Sequence, residues 1–535
     1  MKTKHWFTIS VIAILVAYLC SHLLNLTILP VFADESIYIR WSQLIIDDWQ
    51  QYAFFPLNDG KTPLPMWLTV LSLLGFKDPL FAGRFVSVIA GFFQVLTVGW
   101  VTSLLGGRKK TVLLSMILTT FLPFWFFHHR MALTEALLLL FISLSIATLI
   151  KAQHVFSKKN MCASSIAWSL LSGLFFGLAI WCKIPALLTV AALPLYIIVS
   201  PIKNKNKDAT KFQTLALRLS LVSLTVFTGL VVFVLLKLHP AFGQLFNRGN
   251  DFLFPLSEVL LEGKWTQTIK NIPSYISYFA AYFTWPLLFL IIAALFGKRD
   301  KTNLFILVLS ALSFLGPISL LGKVVYPRYL FPVVFYLTVA TALAIQQLHD
   351  RYVSSAKSLP TKIIISMVLV FSLAHSLGMS GVFAYGALFK PSETTFVSAD
   401  KEQYLEEWSS GHGITEVIEY LQTESKTKTI AVATEGSFGT LPDGLLMYLH
   451  RTDVSNLYVE GIGYPVTSFS EKYLSRAQEF DRKLLVVNSH RMLISTDSME
   501  LVLEVCRPNN APCLQVWDVT ASPLLNFVPE TSDRL

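Results

Sequence analysis

WFTISVIAILVAYLCSHLLNLTILPVFADE, residues 6–35, is a long apolar segment with an acidic end. Residues 6–32 contain no Asp, Glu, Lys or Arg, and the adjacent carboxylates Asp34 and Glu35 follow directly. About 20 apolar residues cross a hydrocarbon core as a helix, so this stretch predicts a transmembrane helix that ends at an acidic pair. Charge at a membrane face is retained mainly for function. We therefore predict that Asp34 and Glu35 belong to a functional site.

The composition indicates a polytopic membrane protein. Of 535 residues, 53% are hydrophobic and only 14% are charged, whereas a soluble domain carries about 25% charged residues. The net charge of +9 does not indicate a nucleic-acid partner, because the basic residues lie in short loops between apolar segments. The first span is too long for a typical cleaved secretion signal, and no A-x-A site follows it.

The apolar segments predict about eleven spans. A short helix at 64–75 is predicted to be re-entrant or interfacial, and residues 36–51 are predicted to form a helix along the membrane surface. The predicted spans are residues 6–28, 79–105, 111–127, 132–150, 163–182, 185–200, 213–237, 276–296, 303–321, 328–346 and 363–386.

Basic residues recur in alternate loops, which the positive-inside rule places in the cytoplasm. This predicts a cytoplasmic N-terminus and an extracytoplasmic location for everything after about residue 388, in a bacterial inner or plasma membrane. The basic residues are Lys2 and Lys4; Arg108, Lys109 and Lys110; Lys151, Lys158 and Lys159; Lys203, Lys205, Lys207 and Lys211; Lys298, Arg299 and Lys301; and Arg351, Lys357 and Lys362.

The sequence predicts two domains: a transmembrane domain over 1–389 and an extracytoplasmic α/β domain over 390–535. In the second, helical segments (TEVIEYLQTE, GLLMYLH) occur among strand segments (TIAVAT, RKLLVVN, LVLEV, LQVWDV). Cys506 and Cys513 bracket a turn-rich loop in a compartment that permits disulfides. Spacing alone leaves a disulfide and two free thiols equally open.

Eight charged residues are predicted to lie on the outer membrane face, where they must be paired or hydrated. Acids and bases together fit chemistry with a phosphate leaving group, because a carboxylate deprotonates a hydroxyl and cations stabilise the departing phosphate. Simpler roles also exist: Glu135 pairs with Arg130, or Lys323 and Arg328 extend to lipid headgroups. The eight are Asp34, Glu35, Lys61, Glu135, Lys183, Arg248, Lys323 and Arg328.

Five motifs in order resemble the GT-C membrane glycosyltransferases, in particular the protein O-mannosyltransferase and aminoarabinose-transferase group (glycosyltransferase families 39 and 83). The resemblance covers roughly residues 1–390. The motifs are ADESIY (33–38); KTPLPMW (61–67), in which Thr62 replaces a proline of the family; RMALTE (130–135), in which Glu135 stands where many relatives have Asp; Lys183; and YPRYLFP (326–332).

The resemblance implies a GT-C fold and inverting transfer of one sugar from a polyprenyl-phosphate carrier to an extracytoplasmic acceptor hydroxyl on a protein, lipid or glycan. No metal or other cofactor is expected, since the donor is lipid-linked. Asp34 is implied as the general base. Glu35 and Glu135 are implied to orient the acceptor or the sugar. The resemblance also implies that the lipid phosphate is bound by Lys61, Lys183 and Arg248, and that the donor pocket is lined by Tyr326 and Arg328. Arg248 is assigned by position in its loop alone.

Two other functions are compatible with parts of the sequence pattern. A transporter or flippase of a lipid-linked or anionic substrate also carries charges within the membrane, but the sequence shows no internal repeat, and its charges are predicted at one face rather than the midplane. A structural anchor for the C-terminal domain would not need eleven spans or buried acids. The leading prediction is a lipid-dependent glycosyltransferase.

Overall fold

The computed structural model describes residues 5–199, 210–297, 301–354, 358–450, 452 and 455–525. The predicted basic loops therefore fall partly outside the described residues. Those outside are Lys2, Lys4, Lys203, Lys205, Lys207, Lys298, Arg299 and Lys357.

The chain forms two compact units that are both discontinuous in sequence. The helical unit contains Met1–Leu26, Gln50–Leu68 and Arg84–Val397. The sheet unit contains Thr27–Trp49, Thr69–Gly83 and Ser398–Leu535. The segment that begins with the acidic pair thus belongs to the same compact unit as the C-terminal residues.

Helices make up most of the structure. Up to residue 199 they are α1 (Trp6–Leu23), α2 (Ala33–Asp47), α3 (Trp49–Tyr52), α4 (Leu64–Gly75), α5 (Pro79–Leu104), α6 (Lys109–Phe121), α7 (Pro123–His128), α8 (Thr134–Lys159), α9 (Ala163–Cys182) and α10 (Thr189–Ala192). From residue 210 onward they are α11 (Lys211–Val234), α12 (Gly249–Phe252), α13 (Leu256–Leu261), α14 (Thr266–Tyr278), α15 (Trp285–Leu295), α16 (Thr302–Leu321), α17 (Phe331–Leu348), α18 (Leu359–Phe389), α19 (Ser398–Lys401), α20 (Ile414–Glu424), α21 (Asp443–Leu449) and α22 (Glu471–Ala477).

Eight helices among the described residues are long and apolar enough to cross a membrane, and a ninth span results if the bent pair Thr266–Phe283 and Trp285–Leu295 counts as one. The protein is therefore an integral membrane protein, as predicted. The eight are Trp6–Leu23, Pro79–Leu104, Thr134–Lys159, Ala163–Cys182, Lys211–Leu238, Thr302–Leu321, Pro327–Val353 and Leu359–Phe389.

Three of the eleven predicted spans are not continuous α-helices, and proline explains each difference because it lacks the N–H that continues a helix. The predicted span 111–127 breaks between α6 and α7, where Pro123 starts the second helix. The predicted span 185–200 consists of short 3-10 and α-helical pieces that contain Pro185 and Pro194. The predicted span 276–296 bends by 99° just before Pro286.

The centre of the helical unit is formed by α8 and by the span that contains α17. In each, 83% of the apolar stretch is buried, against 11% in α1. Motif residues stand at the ends of these central helices, since Glu135 is in the first turn of α8 and Arg328 lies just before α17. The two most buried spans thus position two of the predicted site residues.

The sheet unit contains one mixed five-stranded sheet, ordered β2-β1-β3-β5-β4. Strand β1 lies parallel to both β2 and β3, and Val432 stands opposite Val459 and Leu484. Strand β5 runs antiparallel to β3 and β4. The strands are β1 (Ile430–Thr434), β2 (Leu457–Gly461), β3 (Arg482–Asn488), β4 (Glu500–Cys506) and β5 (Cys513–Asp518).

A small apolar core holds this sheet together. Ala433, Leu485 and Val487 from the central strands pack with Tyr473 of α22, and all four are fully buried. The fold class predicted from the sequence, a polytopic helical membrane protein with a small C-terminal α/β domain, is confirmed. Strand β2 and helix α22 were not predicted.

The helix predicted over residues 36–51 is found as α2 and α3, and its location along the membrane surface stays a prediction. Most of α2 is buried, including its polar residues Ser36, Ser42 and Gln43, whereas Asp34, Arg40 and Asp47 keep exposed surface. The Ser36 hydroxyl donates to the carbonyl of Gly439 at 2.8 Å, and the Gln43 amide donates to the carbonyl of Met447 at 2.8 Å. Because these polar groups bond to protein backbone, α2 packs within the sheet unit.

Candidate functional site

An ion pair between a buried carboxylate and a partly exposed ammonium links two of the predicted motifs within the helical unit. The Nζ atom of Lys183 lies 2.6 Å from Oε1 of Glu135. Glu135 stands in the first turn of α8, where the helix dipole favours a carboxylate. Lys183 follows the last residue of α9 in an extended conformation, and Pro185 in the next turn prevents the helix from continuing.

The motif YPRYLFP (326–332) lies next to this ion pair. Arg328 is buried in a short turn, Pro327–Leu330, and interacts electrostatically with Glu135. Its guanidinium carbon lies 5.6 Å from the ring centre of Tyr326 and 5.7 Å from that of Tyr329. The Lys183 ammonium lies 5.3 Å from the same Tyr329 ring. We call Glu135, Lys183, Tyr326, Arg328 and Tyr329 the cation cluster.

The cation cluster has more positive than negative charge, since two cations share one carboxylate. Glu135 offsets part of the cost of burying Lys183 and Arg328, and the tyrosine rings add cation–π attraction. This arrangement holds both cations in fixed positions, and the Lys183 ammonium is partly exposed. It is therefore suited to binding an anionic phosphate. Tyr329, which the motif reasoning did not assign, contacts both cations.

Arg130 does not pair with Glu135, which corrects the simpler role considered for Glu135. Its guanidinium instead donates to the carbonyl groups of four residues at the end of α1 and beyond it, at 2.8–3.1 Å. Carbonyl groups at a helix C-terminus lack intrahelical partners, and a cation satisfies them. The four acceptors are Ser21, His22, Leu24 and Asn25.

Lys61 and Arg248 are also brought together in the helical unit, although 187 positions separate them in sequence. The Lys61 ammonium lies 5.5 Å and the Arg248 guanidinium 5.9 Å from the ring centre of Phe252. Arg248 pairs with Asp59 and with Asp251, the latter at 2.9 Å. Two carboxylates thus hold Arg248 in place beside Lys61, against the same aromatic ring.

An apolar cleft of about 350 Å³ lies in the same unit. Two lysines adjoin its lining residues in sequence: Lys264, whose ammonium is 5.8 Å from the Phe254 ring centre, and Lys323, at 5.4 Å. A backbone pairing of Leu253 with Gly322 holds the two segments together. The lining residues are Leu256, Val259, Leu260, Trp265, Pro317, Leu320 and Leu321.

The adjacent carboxylates Asp34 and Glu35 have different surroundings within the sheet unit. Glu35 is fully buried, and its Oε2 accepts from the backbone N–H of Phe32 at 3.0 Å, which caps the start of α2. Asp34 is only half-buried. Glu35 thus fixes the first turn of α2 while Asp34 keeps an accessible surface.

The far end of α2 is tied to the sheet unit by a side-chain hydrogen bond. Asp47 lies 2.9 Å from Nε2 of His450, which follows α21. Together with the Ser36 and Gln43 hydrogen bonds, this contact anchors both ends and the middle of α2. The helix that carries Asp34 is therefore positioned by the C-terminal residues of its own unit.

A buried carboxyl stabilises the loop on which α2 packs. The Asp443 carboxylate accepts from the Gly439 N–H at 2.8 Å. Burial nevertheless raises the pKa of Asp443 to about 6, an effect that this hydrogen bond and the charge of Arg40 only partly oppose. Gly439 itself has a φ of +113°, a conformation that only glycine adopts without strain.

We expect the Asp443→Asn variant to be more stable than the wild type at pH 8. Because the folded pKa is raised, the folded state binds its proton more tightly than the unfolded chain, so wild-type stability falls as pH rises from about 4 past about 6. Asparagine removes this loss of stability, which is roughly 3 kcal/mol. The stability difference between the variant and the wild type is measured by thermal unfolding of the detergent-purified proteins at pH 4.5 and pH 8. An equal benefit at both pH values would contradict the titration of Asp443.

Cys506 and Cys513, whose pairing the spacing left open, form a disulfide. They stand opposite each other at the connected ends of β4 and β5. The bond therefore closes the hairpin at the edge of the sheet.

Comparison with known proteins agrees with this architecture. Residues 59–239, less than half of the chain, match the family described as dolichyl-phosphate-mannose-protein mannosyltransferase. That stretch contains Lys61, Glu135 and Lys183. No curated protein sequence matches the chain.

Solved structures match far more of the chain. ArnT from Cupriavidus metallidurans, bound to undecaprenyl phosphate, is similar with a TM-score of 0.56 and 14% identity, over 98% of this chain and 99% of that one. The Archaeoglobus fulgidus oligosaccharyltransferase in its apo form is similar with a TM-score of 0.56 and 11% identity, over 91% of this chain and 70% of that one. AglB from the same organism, in complex with an inhibitory peptide and a dolichol-phosphate, is similar with a TM-score of 0.54 and 11% identity, over 91% of this chain and 69% of that one.

The chain has the fold of the GT-C membrane glycosyltransferases. The resemblance predicted from the five motifs is confirmed by the family match and by these structural neighbours. The structure adds that Glu135, Lys183, Tyr326 and Arg328 meet in one cluster and Lys61 and Arg248 in another, while Asp34 and Glu35 begin a helix of the sheet unit. The roles of these residues remain predictions.

Proposed function

We propose that this protein is an inverting glycosyltransferase that moves one sugar from a polyprenyl-phosphate donor to an acceptor hydroxyl. The cation cluster is the observation that carries the proposal, because three motifs distant in sequence supply Glu135, Lys183 and Arg328 to one buried place. The family match and the GT-C fold support it.

In the proposed reaction, the acceptor oxygen attacks the anomeric carbon of the sugar. The bond from that carbon to the phosphate oxygen breaks, the configuration inverts, and the polyprenyl phosphate leaves with one more negative charge. Lys183 and Arg328 stabilise this developing charge, because buried cations act strongly where water is excluded. Glu135 fixes Lys183 and contacts the sugar or the acceptor, and Tyr326 lines the donor pocket.

The proton of the acceptor hydroxyl goes to Asp34 in this proposal. The assignment rests on the place of Asp34 in the motif and on its accessible surface, whereas Glu35 is committed to capping α2. A carboxylate at this step acts as a general base. With cations supplied by side chains, the proposed reaction needs no metal or other cofactor.

In this proposal the lipid carrier binds in the helical unit. The apolar cleft lined by Trp265 and Leu321 suits a prenyl chain, since it is almost entirely apolar. Lys264 and Lys323 adjoin its lining residues in sequence, and Lys61 with Arg248 offers a second cationic group. Burial of apolar prenyl surface supplies binding energy of roughly 25 cal/mol per Å².

We propose a bacterial inner or plasma membrane as the location, with a cytoplasmic N-terminus and an extracytoplasmic sheet unit. The distribution of basic loops supports this orientation. The acceptor is a protein, lipid or glycan on that outer side. The disulfide of Cys506 and Cys513 fits an oxidising compartment.

A transfer assay tests the proposed function directly. We expect the purified full-length protein to release polyprenyl phosphate from at least one donor in a panel of polyprenyl-phosphate hexoses and pentoses, in the presence of a membrane extract as acceptor source. The transferred sugar is expected to have the inverted anomeric configuration by NMR. Movement of intact donor across proteoliposomes without phosphate release would instead identify a flippase.

A further inference from the structure

A second surface in the sheet unit has the features of a ligand site. In the order β2-β1-β3, the chain leaves β1 for β2 on one side and returns to β3 on the other, so the carboxyl ends of β1 and β3 form a topological switch point. Ligands of α/β sheets bind in the crevice at such points. Glu435 follows β1 there, and Asn488 ends β3.

Two exposed aromatic rings stand on neighbouring loops at this edge. Phe438, in the loop after β1, is 55% exposed, and Tyr464, in the loop after β2, is 60% exposed. The loops are joined by paired backbone hydrogen bonds between Gly436 and Gly463, at 2.8 and 3.1 Å. A side chain at Gly461 would meet the Gly436 carbonyl at 2.4 Å, so this close approach requires glycine.

The ring of Tyr464 is held in a fixed orientation from within the unit. The Arg491 guanidinium lies 3.5 Å from the Tyr464 ring centre and 4.3 Å from that of Trp408. Arg491 in turn donates to the buried carboxylate of Glu435 at 3.1 Å. The same carboxylate accepts from the side-chain amide of Asn488 at 2.6 Å. One ring face is thus supported while most of the ring remains accessible.

Polar groups flank these rings. Glu407 and His490, adjacent in sequence to Trp408 and Arg491, lie 3.8 Å apart with half-exposed and one-third-exposed side chains. One layer further in, the Oδ1 atom of Asn488 has no hydrogen-bond partner among the described residues. The surface therefore offers flat apolar faces next to hydrogen-bonding groups of both kinds.

We propose that this surface, defined by Glu407, Trp408, Phe438, Tyr464, His490 and Arg491 and here called the aromatic edge, binds the saccharide of a glycan acceptor. The proposal rests on the proposed function and specifies the class of its acceptor. Sugar rings present C–H groups that stack on aromatic faces and hydroxyl groups that hydrogen-bond to carboxylates, imidazoles and guanidinium groups.

The arrangement favours a saccharide over a membrane contact. Exposed Tyr and Phe also occur at membrane–water interfaces, where the rings need no fixed orientation. Here the Tyr464 ring is stacked on a guanidinium that is itself fixed by Glu435 and Trp408, which costs conformational freedom. Such pre-organisation is useful only for a ligand with a defined shape.

The proposal is tested by binding of the purified full-length protein, in detergent, to an array of immobilised oligosaccharides ending in hexoses, N-acetylhexosamines or uronic acids. Serine- and threonine-containing peptides are printed beside them. We expect the wild type to bind at least one saccharide class, and the Phe438→Ala/Tyr464→Ala variant to bind it at least about tenfold more weakly. Tyr464→Phe keeps the stacked ring and is expected to retain binding.

Leu501→Ala is the matched control, because Leu501 is an exposed apolar residue on β4, at the opposite end of the sheet from β2. Thermal unfolding verifies that all variants fold, and flotation with phosphatidylglycerol vesicles reports membrane contact. The proposal is overturned if the wild type binds only peptides or nothing, if the double variant binds saccharides normally, or if it loses vesicle association instead. Donor turnover is measured in parallel: saccharide binding without any donor use refutes the proposed function and leaves the aromatic edge intact.

Discussion

The Asp34→Asn variant is expected to fold normally and to lose sugar transfer by about 10²–10⁴-fold or more, the usual contribution of a general base. Asparagine has nearly the same shape as aspartate but cannot accept the proton of the acceptor hydroxyl. Glu35 still caps α2 in this variant, so the helix keeps its first turn. Release of polyprenyl phosphate under saturating donor, together with donor affinity, is the measurement. Donor affinity is expected to remain within about twofold.

Asp47→Asn is the matched control, because it makes the same chemical change at the other end of the same helix. Asp47 is half-exposed and contacts His450, and surface ion pairs contribute only about 0–1 kcal/mol. Because an asparagine side chain can also hydrogen-bond to His450 and keep α2 anchored, we expect this variant to transfer sugar at the wild-type rate. If Asp34→Asn turns over normally, or if both variants fail alike, Asp34 is not the base.

The Lys183→Met variant is expected to lose both activity and stability. Without its cation, the departing phosphate is less stabilised, which costs about 10²–10³-fold in turnover. The buried Glu135 carboxylate is also left without its 2.6 Å partner, and breaking a buried ion pair costs about 3–5 kcal/mol. Turnover and thermal unfolding in detergent are measured on the same preparation.

Combining Lys183→Met with Glu135→Gln separates these two effects. The neutral glutamine removes the uncompensated charge, so we expect the double variant to recover most of the stability but none of the activity. Lys237→Met, at an exposed lysine in the same unit, is the control and is expected to behave as the wild type. Recovered activity in the double variant would show that the ion pair only supports the fold.

The local parts of the fold were predictable because they depend on neighbouring residues. RKLLVVN predicted a strand that the structure places at Arg482–Asn488, and TEVIEYLQTE predicted a helix that is found at Ile414–Glu424. Strand β2 was missed because none of its residues is fully buried and its side chains do not alternate in exposure. The periodicity of α2 was read correctly as a helix, but periodicity does not identify what covers it.

The site could be predicted only as far as the motifs reached. The meeting of Glu135 with Lys183, 48 residues apart, follows from the resemblance rather than from any local pattern. The partners of Arg130 could not be predicted, because its backbone acceptors lie 105–109 residues away. Every residue has a backbone carbonyl, so the sequence does not indicate which ones act as acceptors. The same holds for Arg491, whose position between Trp408 and Tyr464 depends on three separate loops.

The hydrogen bond from Ser36 to Gly439 joins residues 403 positions apart, and this has a consequence for biogenesis. Ribosomes add about 5–20 residues per second, so α2 leaves the ribosome roughly 20–80 s before the loop that covers it exists. Throughout that interval the polar side chains of α2 need other hydrogen-bond partners, such as lipid headgroups, water or a chaperone. A truncated nascent chain that ends between Phe389 and Gly439 is therefore expected to be recognised by quality-control proteases, although all the candidate spans of the described residues are already made.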